Sequence, residues 1–246
     1  MQIIKGIHLV ASGWLGCSLT DPHDCHVYLL AGSGGAVLID AGCGLDSDAI
    51  VDNIARAGVD PTRVTHILLT HAHADHAAGA AALSSRLGAQ VWASAETAAI
   101  LRDADENAAG LVAARAVGVY PASVHLVPTT IAKELGVEAI DVAGFRIDCI
   151  PTPGHAAGHL CFSVRTAGRN VLFAGDLVFS RGRVAVLDTP DTDLGQLHTS
   201  LRAALATMPD LLLAGHGSMV LDHAGEHIAT ALEAFERGDI PAALVS

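Results

Sequence analysis

Thr70-His71-Ala72-His73-Ala74-Asp75-His76 places four potential metal ligands, His71, His73, Asp75 and His76, within six positions. The apolar, β-branched run Val64-Thr65-His66-Ile67-Leu68-Leu69 leads directly into it and reads as a buried strand. A strand ending in imidazoles and a carboxylate is a scaffold that presents ligands at its tip. Imidazole with carboxylate suits zinc and its first-row neighbours, whereas calcium or magnesium calls for an oxygen shell. The spacing is not that of the helical zinc proteases, whose two histidines sit four apart on one helical face. Here His71 and His73 alternate along an extended stretch and point the same way, and the chain then turns to deliver Asp75 and His76.

Three later positions repeat the pattern. His155, in Thr152-Pro153-Gly154-His155, follows the strand-like run 145–150; Asp176, in Ala174-Gly175-Asp176, follows 170–173; His216, in Ala214-Gly215-His216-Gly217, follows 211–213. Four apolar strands in order each end in a potential ligand. Glycine beside three of those ends permits the tight backbone that brings a side chain close to a metal.

On these motifs, over residues 25–220, the chain resembles the metallo-β-lactamase fold superfamily, in its glyoxalase II-like and lactonase-like branch of binuclear hydrolases. The resemblance implies an α+β fold, an αββα sandwich of two mixed β-sheets with helices on both outer faces. It also implies that His71, His73 and His155 hold one metal, that Asp75, His76 and His216 hold a second, and that Asp176 bridges them. Asp40, in Val37-Leu38-Ile39-Asp40-Ala41-Gly42, falls where the family has an aspartate that supports the metal-binding loop and orients a ligating histidine. Two zinc ions are the expected cofactors, with Fe2+ or mixed metals as the alternative. Two departures stand out. The family often has Asp-Thr-Gly where this chain has Asp40-Ala41-Gly42, and Cys43 follows. Many antibiotic-destroying members replace a second-site histidine by cysteine and lack the bridging aspartate, which disfavours β-lactamase activity here.

The expected chemistry is attack of a metal-bridged hydroxide on an ester-like carbonyl, a thioester or lactone of a small molecule. Three protein ligands on a zinc leave a position for solvent, and bound water has a pKa near ~7. Asp75 is the expected catalytic carboxylate, accepting a hydrogen bond from the nucleophile or returning a proton to the leaving group. No serine nucleophile elbow, phosphate-binding glycine loop or CxxC pair points to covalent catalysis. The alternative on the same fold is a mononuclear iron dioxygenase acting on persulfide sulfur. A flavodiiron-like module is disfavoured, because that group has glutamate at the position of His73 and adds a flavin domain.

The chain has 246 residues, 51% of them hydrophobic, with no apolar run approaching the roughly 18–20 residues that span a bilayer. One domain over 1–246 is expected, since no Pro-, Gly- or Ser-rich linker interrupts it. Met1-Gln2-Ile3-Ile4-Lys5-Gly6 reads as a first strand rather than a signal peptide. Cys17, Cys25, Cys43, Cys149 and Cys161 form an odd, irregular set that suits a reduced cytoplasmic setting. Fourteen basic against 26 acidic residues give a formal charge of -12, which argues against a nucleic-acid partner. The expected partner is a small-molecule substrate, with no membrane; a homodimer is left open.

Strands are expected near 3–10, 25–30, 35–40, 64–69, 90–93, 140–150, 160–164, 170–174 and 211–214. Helices are expected near 46–57, 76–87, 95–118, 193–207 and 223–237. After Asp176, Leu177-Val178-Phe179-Ser180-Arg181-Gly182-Arg183 borders the cleft in the family, so Arg181 and Arg183 are candidates to grip an anionic group. Trp14, in the segment 13–23, is a candidate apolar wall, as is Tyr120. His159 reads as packing, with support of a metal ligand from behind as the alternative, and His198, His223 and His227 as solvated helix residues. Glyoxalase II enzymes, which the chain resembles, bind glutathione with basic residues of a longer C-terminal helical extension. The 30 residues after His216 carry Arg237 alone, so by the resemblance a glutathione thioester is not the assured substrate.

Overall fold

The computed structural model describes residues 1–187, 189 and 191–244. Its backbone contacts group into two compact units, Met1–Leu135 with Asp141–Phe145, and Gly136–Ile140 with the chain from Arg146 onward. Each is built on one mixed β-sheet with helices, the α+β content expected.

In the first unit, β1 (Gln2–Ile4), β2 (Ile7–Ala11), β3 (Val27–Gly32) and β4 (Gly35–Ile39) are antiparallel neighbours. β5 (Val64–Leu68), β6 (Gln90–Ser94) and β7 (Ile131–Leu135) extend the sheet in parallel. Parallel steps require crossovers, supplied by α1 (Ser47–Arg56), α2 (Ala74–Ala77) with α3 (Ala80–Leu87), and α4 (Ala95–Asp103) with α5 (Leu111–Ala116). The Asp46 carboxylate caps α1 by accepting from Ala49 N at 3.1 Å. Ile50 and Ile54 recur on its inner face and pack with Leu83, Leu87, Ala98 and Leu101 against Leu29, Leu38, Ile67 and Val91 of the sheet. β4 is buried at every residue, the near-continuous apolar run of a strand covered on both faces.

The second sheet runs β12-β11-β10-β9-β8, from β8 (Glu138–Val142), β9 (Phe145–Pro151), β10 (Leu160–Thr166), β11 (Arg169–Gly175) and β12 (Leu211–Ala214). β9, β10 and β11 are antiparallel, and β12 joins β11 in parallel after the crossover helix α6 (Leu194–Ala206). Leu197 and Leu201 of α6 share a core with Leu172, Leu212 and Ile228, the last from α7 (Ala224–Glu236).

Four expected segments are split, each for a local reason. The run 3–10 turns at Gly6, φ +83°, and 140–150 turns at Ala143 and Gly144, φ +52° and +83°, the paired positive values of a tight hairpin turn. The helix expected over 76–87 is interrupted because the carbonyl of His76 accepts from Ala41 N at 2.8 Å, outside the helical ladder. The one expected over 95–118 stops at Ala104, φ +49°, after which Asp105 Oδ1 takes Asn107 N and Ala108 N at 3.1 and 3.0 Å. Strand β7 was not expected at all. Its Ile-Ala-Lys-Glu-Leu sequence favours a helix, and pairing with β6 overrides that preference.

Candidate metal centre

Every proposed ligand stands just beyond a strand end, after β5, β9, β11 and β12. The set divides between the units, four in the first and three in the second.

In the first unit, residues 70–73 leave β5 as extended chain and α2 delivers Asp75 and His76. His71 and His76 are fully buried, and Asp75 is buried. Behind them sits Asp40, at φ +64°. Its carboxylate accepts from Thr70 N at 2.8 Å, from the Thr70 hydroxyl at 3.0 Å and from His76 Nδ1 at 2.8 Å. Because the Thr70 hydroxyl donates to Asp40, its oxygen accepts from His71 Nδ1, 3.0 Å away. Asp40 thus places the proton on Nδ1 of both histidines, directly for His76 and through Thr70 for His71. Nε2 of each is left as a lone-pair donor, the tautomer a metal requires. His71 Nε2 lies 3.0 Å from His73 Nδ1, close to the ~3.3 Å separation of two ligands on a tetrahedral zinc with bonds of about 2.0–2.1 Å. His76 Nε2 lies 3.6 Å from Asp75 Oδ2, and Tyr120 donates its hydroxyl to Asp75 Oδ1 at 2.7 Å.

In the second unit, Asp176 Oδ2 lies 3.8 Å from His155 Nε2 and 3.5 Å from His216 Nε2, between the two rings. All three residues are buried. His155 Nδ1 donates to Ala185 O at 2.9 Å, which again turns the lone pair of Nε2 toward the carboxylate. Gly154 precedes His155 at φ +128°, and a Cβ there would meet Leu197 N at 2.3 Å, so glycine alone lets this loop seat against α6. The donor set of both units fits divalent transition metals: His71, His76 and His155 are buried imidazoles with Nδ1 anchored, and Asp75 and Asp176 stand beside the free nitrogens of His76 and His155.

His159 is more than the packing residue expected from sequence. Fully buried, it accepts from the Asp176 backbone N–H through Nε2 at 3.1 Å, and its Nδ1 lies 2.8 Å from the Thr152 hydroxyl. It ties the β9 loop to the residue that follows β11. The spacing His155-Ala156-Ala157-Gly158-His159 was the available signal. His227 is likewise not merely solvated: its Nδ1 accepts from Arg181 N at 2.6 Å, and it lines a pocket of the second unit with Arg181 and Arg183. His198 stacks on Phe235 with centroids 5.2 Å apart. The Trp14 ring is 63% exposed, presented to solvent rather than packed in the core.

Cys43, which follows the Asp40-Ala41-Gly42 turn, is buried. Burial, with the Asp24 carboxylate beside it, holds its thiol far above the ordinary value. Burial does the same to Cys25 and pushes Cys161 up to about 12. At neutral pH these groups are thiols, which attack poorly. No disulfide joins any of the five cysteines. No helix among the described residues is long and apolar enough to cross a membrane.

Residues 20–216 match the family model of the metallo-beta-lactamase superfamily. A hydroxyacylglutathione hydrolase of Acidiphilium cryptum (strain JF-5) is 32% identical over 195 residues, covering 78% of this chain but 64% of that protein, so the chain spans less than two thirds of it. A probable metallo-hydrolase of Bacillus subtilis (strain 168), YqgX, is 27% identical over 80% of this chain and 86% of its own length. Among solved structures, a Cronobacter sakazakii metallo-beta-lactamase with a HARLDQ motif superposes with a TM-score of 0.74 at 22% identity, covering 97% of this chain and 96% of that one. The two mixed sheets with their helices are the fold of that family. On the span of the match, the chain belongs to the metallo-beta-lactamase superfamily.

Proposed function

We propose that the chain is a binuclear metal-dependent hydrolase of an ester-like bond, a thioester or a lactone, in a small molecule. One observation carries this reading: in each unit a buried histidine, His76 in the first and His155 in the second, has its Nδ1 held by an acceptor so that the Nε2 lone pair faces a carboxylate. In the proposal, His71, His73 and His155 hold one zinc, Asp75, His76 and His216 hold the other, and Asp176 serves both. Such metals, when bound, supply Lewis acidity, which brings coordinated water to a pKa of about 7 and polarises a carbonyl oxygen.

The side chains do the rest. Asp75 holds the nucleophile by accepting its hydrogen bond and returns a proton to the departing oxygen or sulfur. The Tyr120 hydroxyl on Oδ1 keeps that carboxylate from rotating, so Oδ2 stays on the side of His76. Asp40 and His159 fix the ligands from behind. Arg181, Arg183 and the exposed ring of Trp14 are the proposed substrate contacts. Thioester hydrolysis is supported by the likeness to the Acidiphilium enzyme; lactones and other acyl thioesters share the ester-like carbonyl and belong in the same proposal. The formal charge of -12 supports a small substrate over a nucleic acid, and the absence of a disulfide supports a cytoplasmic setting.

The test is a panel of acyl thioesters and lactones assayed with metal-loaded protein. Hydrolysis of one class with kcat/KM above about 10^4 M⁻¹s⁻¹ is expected, abolished by chelation and restored by zinc. No hydrolysis across the panel, with oxygen uptake on persulfides instead, would replace the hydrolase by the iron dioxygenase.

A further inference from the structure

The ring of His155 is oriented by a main-chain atom. His155 Nδ1 donates to Ala185 O at 2.9 Å, whereas His76 in the first unit donates to the Asp40 carboxylate at 2.8 Å. A carbonyl stands only where its segment is held. What holds residues 183–185 therefore decides how the His155 ring is turned.

Val184 is fully buried and shares a core with Leu177, Val178, Ile228 and Ala231, which sets its depth in the unit. Along one edge its backbone is paired by a segment that follows α7. Val184 N–H donates to Ala242 O at 3.0 Å, and Val184 O accepts from Leu244 N at 2.9 Å, a parallel bridge centred on Ala243. Arg183 adds a bond from Nη1 to Leu244 O at 3.4 Å. In an extended chain, successive residues turn their N–H and C=O groups to opposite edges. With both groups of Val184 committed to 242–244, the Ala185 carbonyl emerges on the other edge, where His155 Nδ1 meets it. Val186 and Leu187, next in the chain, are 40% and 39% exposed. Ala185 thus stands where the segment leaves the core, and the pairing one residue earlier fixes its carbonyl.

Resting on the proposed centre, in which His155 is a ligand, we infer that Ala242–Leu244 is a positioning element for that ligand. By pairing with Val184 it holds the Ala185 carbonyl against His155 Nδ1, so the ring keeps its proton there and leaves the Nε2 lone pair for a metal. Such support from behind fixes the tautomer and orientation of a ligating imidazole. None of the three residues is ionisable, so no ligand pattern marks them in the sequence.

Two substitutions separate the main-chain bond from the side chain. Leu244→Pro removes the N–H that Val184 O accepts, and it asks of Ala243 only the extended backbone that the bridge already has. Leu244→Ala keeps the N–H and shortens the side chain. Proton–nitrogen correlation spectra of the imidazole rings, on the metal-free full chain at about pH 8 where ordinary imidazole is neutral, read which nitrogen carries the proton. In wild type and Leu244→Ala, His155 should be protonated on Nδ1. In Leu244→Pro its proton should move to Nε2 in a large share of molecules, while His76, held by Asp40, stays on Nδ1. Zinc titration against a competing chromogenic chelator should show about tenfold weaker binding at one site in Leu244→Pro and no change in Leu244→Ala.

An unchanged His155 tautomer in Leu244→Pro would overturn the assignment. So would the same shift in Leu244→Ala, which would trace it to apolar packing, or an equal shift at His76, which would mark general loosening of the chain. A shifted tautomer with unchanged zinc affinity would take His155 out of the proposed centre and overturn the link to the metal. Because the tautomer is read without metal, failure of the metal centre itself would show in the zinc titration alone.

Discussion

Asp176→Asn is expected to give a folded protein that carries about one metal per chain and turns over on the order of 100-fold more slowly. In the second unit the Asp176 carboxylate stands between His155 Nε2 at 3.8 Å and His216 Nε2 at 3.5 Å. Asparagine keeps the shape but removes the negative charge that, in the proposed centre, would hold two dications near one another, and turns one of the two oxygens into a donor. Folding should be spared, because the contact with His159 runs through the Asp176 backbone N–H rather than the side chain. Elemental analysis, initial rates and a thermal melt on the same preparation check all three parts. Unchanged metal content and rate would remove Asp176 from the centre.

The second large effect is structural. Asp40→Ala should lower stability by about 3 kcal/mol, which for a chain of this size is a fall in Tm of roughly 6–12 °C. The substitution leaves three buried donors, Thr70 N, the Thr70 hydroxyl and His76 Nδ1, without their acceptor. It also places alanine at φ +64°, a conformation aspartate tolerates better. Asp40→Asn separates the two roles of the carboxylate. Its oxygen can still serve Thr70, but its amide presents N–H to His76 Nδ1 and drives that proton to Nε2, the atom a metal needs. The Asn variant should therefore keep most of the stability while binding metal about 10–100-fold more weakly. A melt and a metal titration of the two variants measure this; equal metal affinity in wild type and Asp40→Asn would show that tautomer control is not what Asp40 contributes.

The proposed ligand positions are legible in sequence because β5, β9, β11 and β12 are apolar runs each followed within eight places by ionisable side chains. What was not readable depends on contacts distant in sequence. Ile131–Leu135 is a strand only because β6 lies beside it. The Ala143-Gly144 turn was hidden because alanine seldom adopts positive φ, although the paired values there make a hairpin. His159 looked like packing because its partner, the backbone N–H of Asp176, belongs to a different strand end. Tyr120 was read as a wall and not as the donor to Asp75, since the 45 residues between them give no local cue. Asp40, by contrast, was placed through the family resemblance, and its contacts with Thr70 and His76 supply the physical reason for that position.

In the proposed centre, seven side chains hold two metals. The measurement that tests this most directly is metal content per chain, by elemental analysis of protein purified without added metal and again after chelation and reloading with zinc. Two zincs per chain, both removable and both restored together with hydrolysis, is the predicted result. A single iron that zinc cannot replace without loss of activity would contradict it.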